Sequence, residues 1–356
     1  MWRFFITEFH FSGFGDLVEI SSVLAQPMTK GYQRTSWLMR TFAYAMFVFM
    51  LVYLLNNYLN VWHDWPGVAA YFFVTEPDSV SVLAWIQLFS YLLVIPVVGV
   101  YCAKTATHRM IEDSDRLSAM SGYLIRVAFW SIVLIGLIDG LISWLRVENL
   151  LPLIFSEDMA NNLGRSDYRG THVHYPLILI SAVMAYRFKT VSVAWLALLV
   201  VFAEAWIVVA RFIFSYEQTL MGDLVRFWYA GLFLFASAYT LREEGHVRVD
   251  VLYSGRTVRY KAWANTVGVL LLGLPLCWVV LVFGMWDRTS ILNAPLLNFE
   301  ISQAAYGLFI KYIMAAFLVV FAVSMLIQFC SYLLKHMAIL QNEVEVSDDH
   351  HDEVGA

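Results

Sequence analysis

Histidines are the first residues to examine for metal or haem chemistry. His172 and His174 form an HxH pair next to a short apolar stretch, whereas His10 and His63 lie in predicted loops. A haem or metal site between membrane helices would need partner histidines at matching depth on other helices, and no predicted span carries one. We therefore expect His172 and His174 to face water at a membrane edge and predict no metal ion and no cofactor.

Catalytic motifs are also missing from the sequence. It contains no phosphate-binding loop, no GxSxG and no HExxH. Cys102, Cys277 and Cys330 each lie in an apolar stretch and are too far apart in sequence for a metal or redox pair. These observations predict that the chain is not an enzyme.

Three charged residues fall inside predicted spans, where charge is costly and usually functional. At about 1.5 Å per residue, Glu204, Lys311 and Asp139 lie roughly 13, 10 and 9 Å below the outer ends of their helices. Because their depths are similar, we predict that Lys311 pairs with Glu204, with Asp139 as the competing partner. The alternative is that each side chain snorkels or forms hydrogen bonds locally.

The elements that carry these residues are membrane helices. The chain of 356 residues is 60% hydrophobic and only 14% charged, whereas soluble domains carry about 25% charged residues. Its formal net charge of −5 and the lack of a basic face argue against nucleic-acid binding. The composition predicts an all-α polytopic membrane protein in contact with lipid.

Seven segments are long and apolar enough to cross about 30 Å of hydrocarbon: 37–60, 81–103, 121–145, 190–213, 224–241, 262–286 and 304–334. An eighth, 172–188, has a shorter apolar stretch and is either a span or a re-entrant helix. We favour a span because the loops then have a consistent charge pattern. With eight spans and both termini inside, cytoplasmic segments hold 16 of the 23 Lys and Arg residues.

The loops and ends complete this organisation. Residues 1–36 are expected to form a cytoplasmic or interfacial segment, and the acidic tail 336–356 to be disordered and cytoplasmic. The longest outer loop, 146–171, is polar and rich in turn-forming residues, so we expect it to be exposed to solvent.

A polar motif follows the span at 224–241. After Gly245, a helix-capping residue type, charged residues alternate with valines up to Val251. This period of two is typical of an extended, half-buried segment, although a solvated loop would fit as well.

The run AYTLREEGHVRVD at 238–250 resembles the signature of DctQ-type small permease subunits of TRAP transporters. Arg211-Phe-Ile-Phe214 resembles the family's aromatic RYxF element, and Asp223-Leu-Val-Arg226 its acidic second-helix start. This chain has Gly222-Asp223 where the family usually has two glutamates. The resemblance covers about 190–335 as a four-span unit and leaves 37–189 as an extension of about four further spans.

The resemblance implies a role in the bacterial inner membrane. A periplasmic binding protein would deliver an organic acid to a large DctM-type permease, which would carry it across by sodium-driven elevator motion. The small subunit would form part of the permease's fixed scaffold. By this resemblance the interface or loop-ordering residues are Arg211, Asp223, Arg226, Arg242, Glu243, His246, Arg248 and Asp250.

Two other functions remain open at this point. A free-standing transporter or channel would use Glu204, Asp139 and Lys311 as its ion path and would need a water-filled cavity that reaches them. A membrane anchor of a redox complex would need paired histidines inside the spans, which the sequence lacks.

Overall fold

The structure, a computed structural model, describes residues 30–68, 82–189, 193–216, 219–242, 253, 255–301 and 307–343. The described residues are all-α. Their α-helices are α1 Lys30–Trp62, α2 Val82–Leu92, α3 Val94–Lys104, α4 Met110–Val147, α5 Leu151–Ile154, α6 Glu157–Leu163, α7 Ser166–Arg169, α8 Tyr175–Arg187, α9 Val193–Phe214, α10 Thr219–Arg242, α11 Val258–Gly268, α12 Leu274–Gly284, α13 Asn293–Asn298 and α14 Lys311–Leu340.

Seven helical segments in this part of the chain are long and apolar enough to cross a membrane. They are Gly31–His63, Val82–Lys104, Met110–Val147, Ala194–Phe214, Leu220–Leu241, Val258–Gly284 and Lys311–Leu340. Each overlaps one of the seven predicted spans, so the prediction of a polytopic helical membrane protein is confirmed. The last span begins at Lys311 rather than at 304, a shift that matters for the ion pairs below.

Prolines mark irregular turns in three of the helices. The break at Leu93 between α2 and α3 precedes Pro96, and π-helical turns at Gly170–His174 and Val269–Gly273 precede Pro176 and Pro275. A proline has no N–H to donate to the carbonyl four residues earlier, and its ring crowds that carbonyl. A break or a wider π turn relieves both problems.

Helix α14 lies at the centre of the bundle. It packs most extensively against α4 and also contacts α1, α10, α11, α12 and α13. One hydrophobic core runs through these helices and includes Ala43, Ile132, Phe227 and Leu326. The helices that precede residue 190 therefore share their core with those that follow it.

Small polar residues line the contact between α4 and α14. Ser114 and Ser331 each donate a hydroxyl to the other's backbone carbonyl, at 2.7 and 2.8 Å. Seven residues further along α4, Ser121 donates to the carbonyl of Ser324 at 3.1 Å. The matching spacing shows that the two helices run antiparallel, and serine lets their backbones approach closely, as small residues do in membrane bundles.

The segment predicted as the eighth span is a continuous helix from Ser166 to Arg187, made of α7, a π turn and α8. Arg169 contacts Asp139 near one end of α4, while the carbonyls of Ala182 and Ala185 accept hydrogen bonds from Tyr123 and Arg126. Asp139 and Arg126 are about 20 Å apart along α4 at 1.5 Å per residue. The helix therefore runs antiparallel to α4 over most of a bilayer's depth, although it is not among the seven strongly apolar helices.

The Ser121 contact gives a stability prediction. Replacing Ser121 by Leu should overpack the α4–α14 contact and cost about 1–3 kcal/mol. We expect a lower thermal midpoint for the detergent-solubilised S121L protein. The control is A119L, because position 119 is exposed on the same helix. Equal midpoints for the two variants would contradict the close approach of the two backbones.

Candidate functional site

The Asp139 carboxylate is buried and hydrogen-bonded at one end of the bundle, which we call the Asp139 end. Its side chain is 0% exposed. Oδ1 accepts a hydrogen bond from Arg169 Nη1 at 2.8 Å and lies 3.2 Å from His174 Nε2. Oδ2 accepts the backbone N–H of Phe309 at 2.9 Å. Arg169 and His174 lie on the Ser166–Arg187 helix and Phe309 in the segment before α14, so this carboxylate joins α4 to two other parts of the chain.

Arg169 is as deeply buried as its partner. Its Nη1 also donates to Ser143 Oγ at 2.8 Å, and its Nε donates to the carbonyl of Leu163 at 2.5 Å. The guanidinium carbon lies 4.2 Å from the centre of the Phe309 ring. A buried arginine needs such partners because its desolvation costs several kcal/mol. These contacts correct the sequence prediction, which placed Arg169 in a solvent-exposed loop.

His174 connects the carboxylate to Tyr312. Its Nδ1 lies 2.6 Å from the Tyr312 hydroxyl, and the two rings stack with their centres 5.9 Å apart. A neutral imidazole satisfies both contacts if Nε2–H donates to Asp139 and Nδ1 accepts from the tyrosine. The prediction of a water-facing histidine is therefore wrong for His174, which is buried. His172 is exposed, as expected, and stacks on Tyr168.

A second carboxylate supports the same segment before α14. Asp223 of α10 accepts the backbone N–H of Leu308 at 3.2 Å, next to the Phe309 N–H bonded by Asp139. Arg146 donates to the carbonyl of Gly307 at 3.4 Å. Both carboxylates sit at the N-terminus of α14, where the helix dipole favours negative charge. We call Asp139, Arg169, His174, Asp223 and Tyr312, together with residues 307–310, the Asp139 network.

The predicted ion pair of Lys311 with Glu204 or Asp139 does not form. Lys311 Nζ instead lies 2.7 Å from Glu300 Oε1, and both side chains are nearly half exposed. Glu204 is exposed on α9 and forms no ion pair with any described residue. The predicted ion pair was wrong because the last span was predicted to begin at residue 304. Because α14 begins at Lys311, the lysine lies at the helix end and reaches the loop before it.

The other interface residues assigned by the family resemblance are only partly described. Arg211 is exposed on α9, and Arg226 of α10 is 3.7 Å from Asp223 with its side chain 76% exposed. Arg242 ends α10. Glu243, Gly245, His246, Arg248 and Asp250 lie outside the described residues.

The opposite end of the bundle, the Asp113 end, holds contacts that the sequence analysis missed. Arg40 Nε donates to Asp113 Oδ2 at 2.6 Å, with both side chains buried, and Arg40 also donates to the carbonyl of Thr105. The Glu343 carboxylate accepts the N–H groups of Met110 and Ile111, each at 3.3 Å, and the hydroxyl of Tyr32 at 2.8 Å. Glu343 therefore caps the start of α4 from the far end of the chain.

No part of this arrangement resembles a catalytic or metal centre. Within the described ranges, no three His, Cys, Asp or Glu side chains are grouped as metal ligands. Two shallow grooves are lined by other residues: an apolar one that includes Phe42, Tyr53 and Trp278, and one that includes Arg259 and Trp263. The polar groups of the Asp139 network bond one another, an arrangement that suits holding helices together.

Comparison with protein families decides what the C-terminal helices are. Residues 197–336 match the model of the family described as "Tripartite ATP-independent periplasmic transporters, DctQ component". By this match, the region is DctQ-like. The family consists of transporter subunits and is not enzymatic. Neither the curated proteins nor the solved structures contained a match to the chain.

The Asp139 network joins the DctQ region to the helices before it. Asp223, residues 307–310 and Tyr312 lie within the matched region, whereas Asp139, Arg169 and His174 precede it. The resemblance found in the sequence is thus confirmed, and the extra apolar helices that precede it are packed onto the DctQ region.

Removing one partner from the buried pair should destabilise the protein strongly. Breaking such a pair leaves an uncompensated buried charge and costs about 3–5 kcal/mol. We expect R169M and D139N each to lower the thermal midpoint in detergent well below that of the unmodified chain. The double variant should lose less than the sum of the two single losses, because neither charge is then left alone.

The matched control is R165M, which removes an arginine from the exposed Arg165–Asp167 pair four residues away. Exposed pairs contribute little to stability, so its midpoint should not change measurably. Equal losses for R165M and R169M would contradict the structural importance of the buried pair.

Proposed function

We propose that this chain is the small membrane subunit of a tripartite transporter and pairs with a large DctM-type permease. In this proposal a periplasmic substrate-binding protein delivers an organic acid, and the permease takes it up with sodium. The observation that carries the proposal is the DctQ match over residues 197–336.

The geometry supports a scaffold role. Asp139 accepts three hydrogen bonds, and Asp223 holds the next backbone N–H of the same segment. Together with the serine contacts between α4 and α14, these bonds fix α4 and α14 to each other. A subunit that stays fixed while a neighbouring domain moves needs this kind of internal bonding.

The second candidate is a free-standing transporter or channel. It would need Asp139, Glu204 and Lys311 on one water-filled path. Asp139 is buried against Arg169, Lys311 pairs with Glu300, and neither of the two grooves described above is lined by any of these residues. These contacts favour the scaffold. Solute uptake by the purified chain alone in liposomes would favour the transporter.

We further propose eight membrane-spanning helices in the bacterial inner membrane, with both termini in the cytoplasm. In this arrangement 37–189 forms an extension and 190–335 the DctQ-like unit, between the segment 1–36 and the tail 336–356. The antiparallel course of Ser166–Arg187 along α4 supports the eighth crossing. Polar residues such as Arg169 and His174 lower the mean hydropathy of this helix. Both are buried in the bundle, so they do not face lipid.

A labelling experiment tests this topology. With the native cysteines replaced, a single cysteine at Glu157 should react with a membrane-impermeant maleimide added from the periplasmic side. A cysteine at Lys189 should react only after the cells are opened, because the helix between them crosses the bilayer. Both native side chains are exposed. Labelling of both sites in intact cells would rule out the eighth crossing.

The proposed complex predicts a defined effect of charge reversal. R248E and D250K should each reduce the amount of large permease that co-purifies with the chain, because the family resemblance assigns both residues to interface or loop ordering. Each large permease of the source organism would be co-expressed in turn with the tagged chain, and K189E would serve as the charge-reversal control.

Transport assays of the surviving complexes complete the test. The substrate preference of R248E and D250K complexes should match that of the unmodified complex. Unchanged yield with altered substrate affinity would overturn the assignment of these two residues. Failure of the unmodified chain to co-purify with any large permease would overturn the proposed function.

A further inference from the structure

Helix α9 carries a carboxylate in the middle of its span. Glu204 is preceded by 11 residues of Val193–Phe214 and followed by 10, so it lies about 15 Å from either end at 1.5 Å per residue. Its side chain is exposed, and it forms no hydrogen bond or ion pair with the described residues. Arg211 is likewise exposed, seven residues further along the same helix.

The burial pattern divides α9 into distinct faces. Leu196, Ala203 and Ala210 recur every seven residues and are buried, and α10 is the main helix packed against α9. At 100° per residue, Glu204 and Arg211 share a stripe about 80–100° to one side of that buried seam, with Val208 beside them. We call this stripe the Glu204 face. Trp195 and Phe202 lie on the opposite side.

Lipid acyl chains alone would be an unfavourable environment for the Glu204 face. Acyl chains offer no hydrogen-bond donor or counter-charge to a carboxylate at mid-span, and ionisable residues at this depth normally face a protein interior or a polar cavity. The opposite side of α9 carries only apolar and aromatic exposed residues and suits lipid. The Glu204 face therefore favours contact with another protein, whereas the opposite side of α9 favours contact with lipid.

A second copy of this chain is also an unfavourable binding partner for the Glu204 face. Two copies related by an axis along the membrane normal would present the same patch to each other. Glu204 would then meet Glu204 at equal depth, and like charges in a low-dielectric environment repel strongly. The occupant needs charges opposite to those of the Glu204 face.

We propose that the Glu204 face of α9 is the docking surface for a transmembrane helix of the large permease subunit. That helix presents a basic or hydrogen-bond-donating side chain at mid-membrane opposite Glu204 and an acceptor nearer the membrane surface opposite Arg211. This inference rests on the proposed function and adds the position and chemistry of the contact. Charge complementarity is its basis, since each unpaired charge specifies the opposite group on its partner.

Photo-crosslinking tests the surface directly. A benzoylphenylalanine residue would replace Val208 on the Glu204 face or, as the matched control, Phe202 on the opposite side of α9. Both native side chains are exposed, so neither replacement disturbs the buried seam. In membranes containing the full chain and the large permease, we expect crosslinks to the permease from position 208 and none from position 202.

A substitution pair provides the second measurement. E204L removes the charge, whereas F202L changes an exposed apolar residue on the other side. We expect E204L to reduce co-purified permease about fivefold and F202L to leave it unchanged, while both proteins keep the thermal midpoint of the unmodified chain. An unchanged midpoint separates loss of docking from loss of folding.

The outcomes distinguish this inference from the proposed function. Crosslinks from position 202 alone, crosslinks from 208 to a second copy of the chain, or full permease recovery with E204L would each overturn the docking surface and leave the complex intact. Failure of the unmodified chain to bind any large permease would overturn the proposed function and this inference together.

Discussion

The Asp139 carboxylate is the contact on which the Asp139 end of the bundle depends. It accepts hydrogen bonds from a guanidinium and an imidazole on the Ser166–Arg187 helix and from a backbone N–H just before α14. Ion pairs of this kind offer little net stability over an apolar core, since desolvation offsets most of the attraction. Such pairs instead specify one arrangement of the helices, because any other arrangement of α4, α7 and α14 would leave a charge buried without a partner.

That specificity gives the extra helices a defined relation to the DctQ region. Helix α14 belongs to the DctQ region up to residue 336, yet its largest contact is with α4, which precedes that region. The serine contacts at Ser114 and Ser121 and the cap from Glu343 fall on the same pair of helices. A truncated chain without the first helices would expose this side of α14 to lipid, and the Ser331 hydroxyl would lose its bond to the carbonyl of Ser114.

Sequence reasoning found the class and the strongly apolar spans, because an apolar run of about 20 residues is a signal that needs no tertiary context. It failed on the ion pairs, because depth estimates carry no information about which side of a helix a residue occupies. Arg169 was assigned to an exposed loop from its polar neighbours, whereas it shares a helical face with His174, Ser181 and Ala185, all buried. A regular helical wheel groups His174, Ser181 and Ala185 but places Arg169 more than about 100° away from them, because it does not include the π turn at Gly170–His174 that changes the register. The start of α14 at Lys311 was not predictable from hydropathy, because it depends on the bonds from Asp139 and Asp223 to the preceding backbone.

The order in which the Asp139 partners are synthesised has a consequence for membrane insertion. Asp139 enters the bilayer 30 residues before Arg169 is made and 170 residues before Phe309 supplies its N–H. The backbone amides at the start of α4 obtain their acceptor later still, because Glu343 lies 233 residues beyond Met110. Until those residues are made, Asp139 and the first amides of α4 lack the partners that they have in the folded bundle. The contacts at both ends of the bundle therefore form only after α14 and Glu343 have been made.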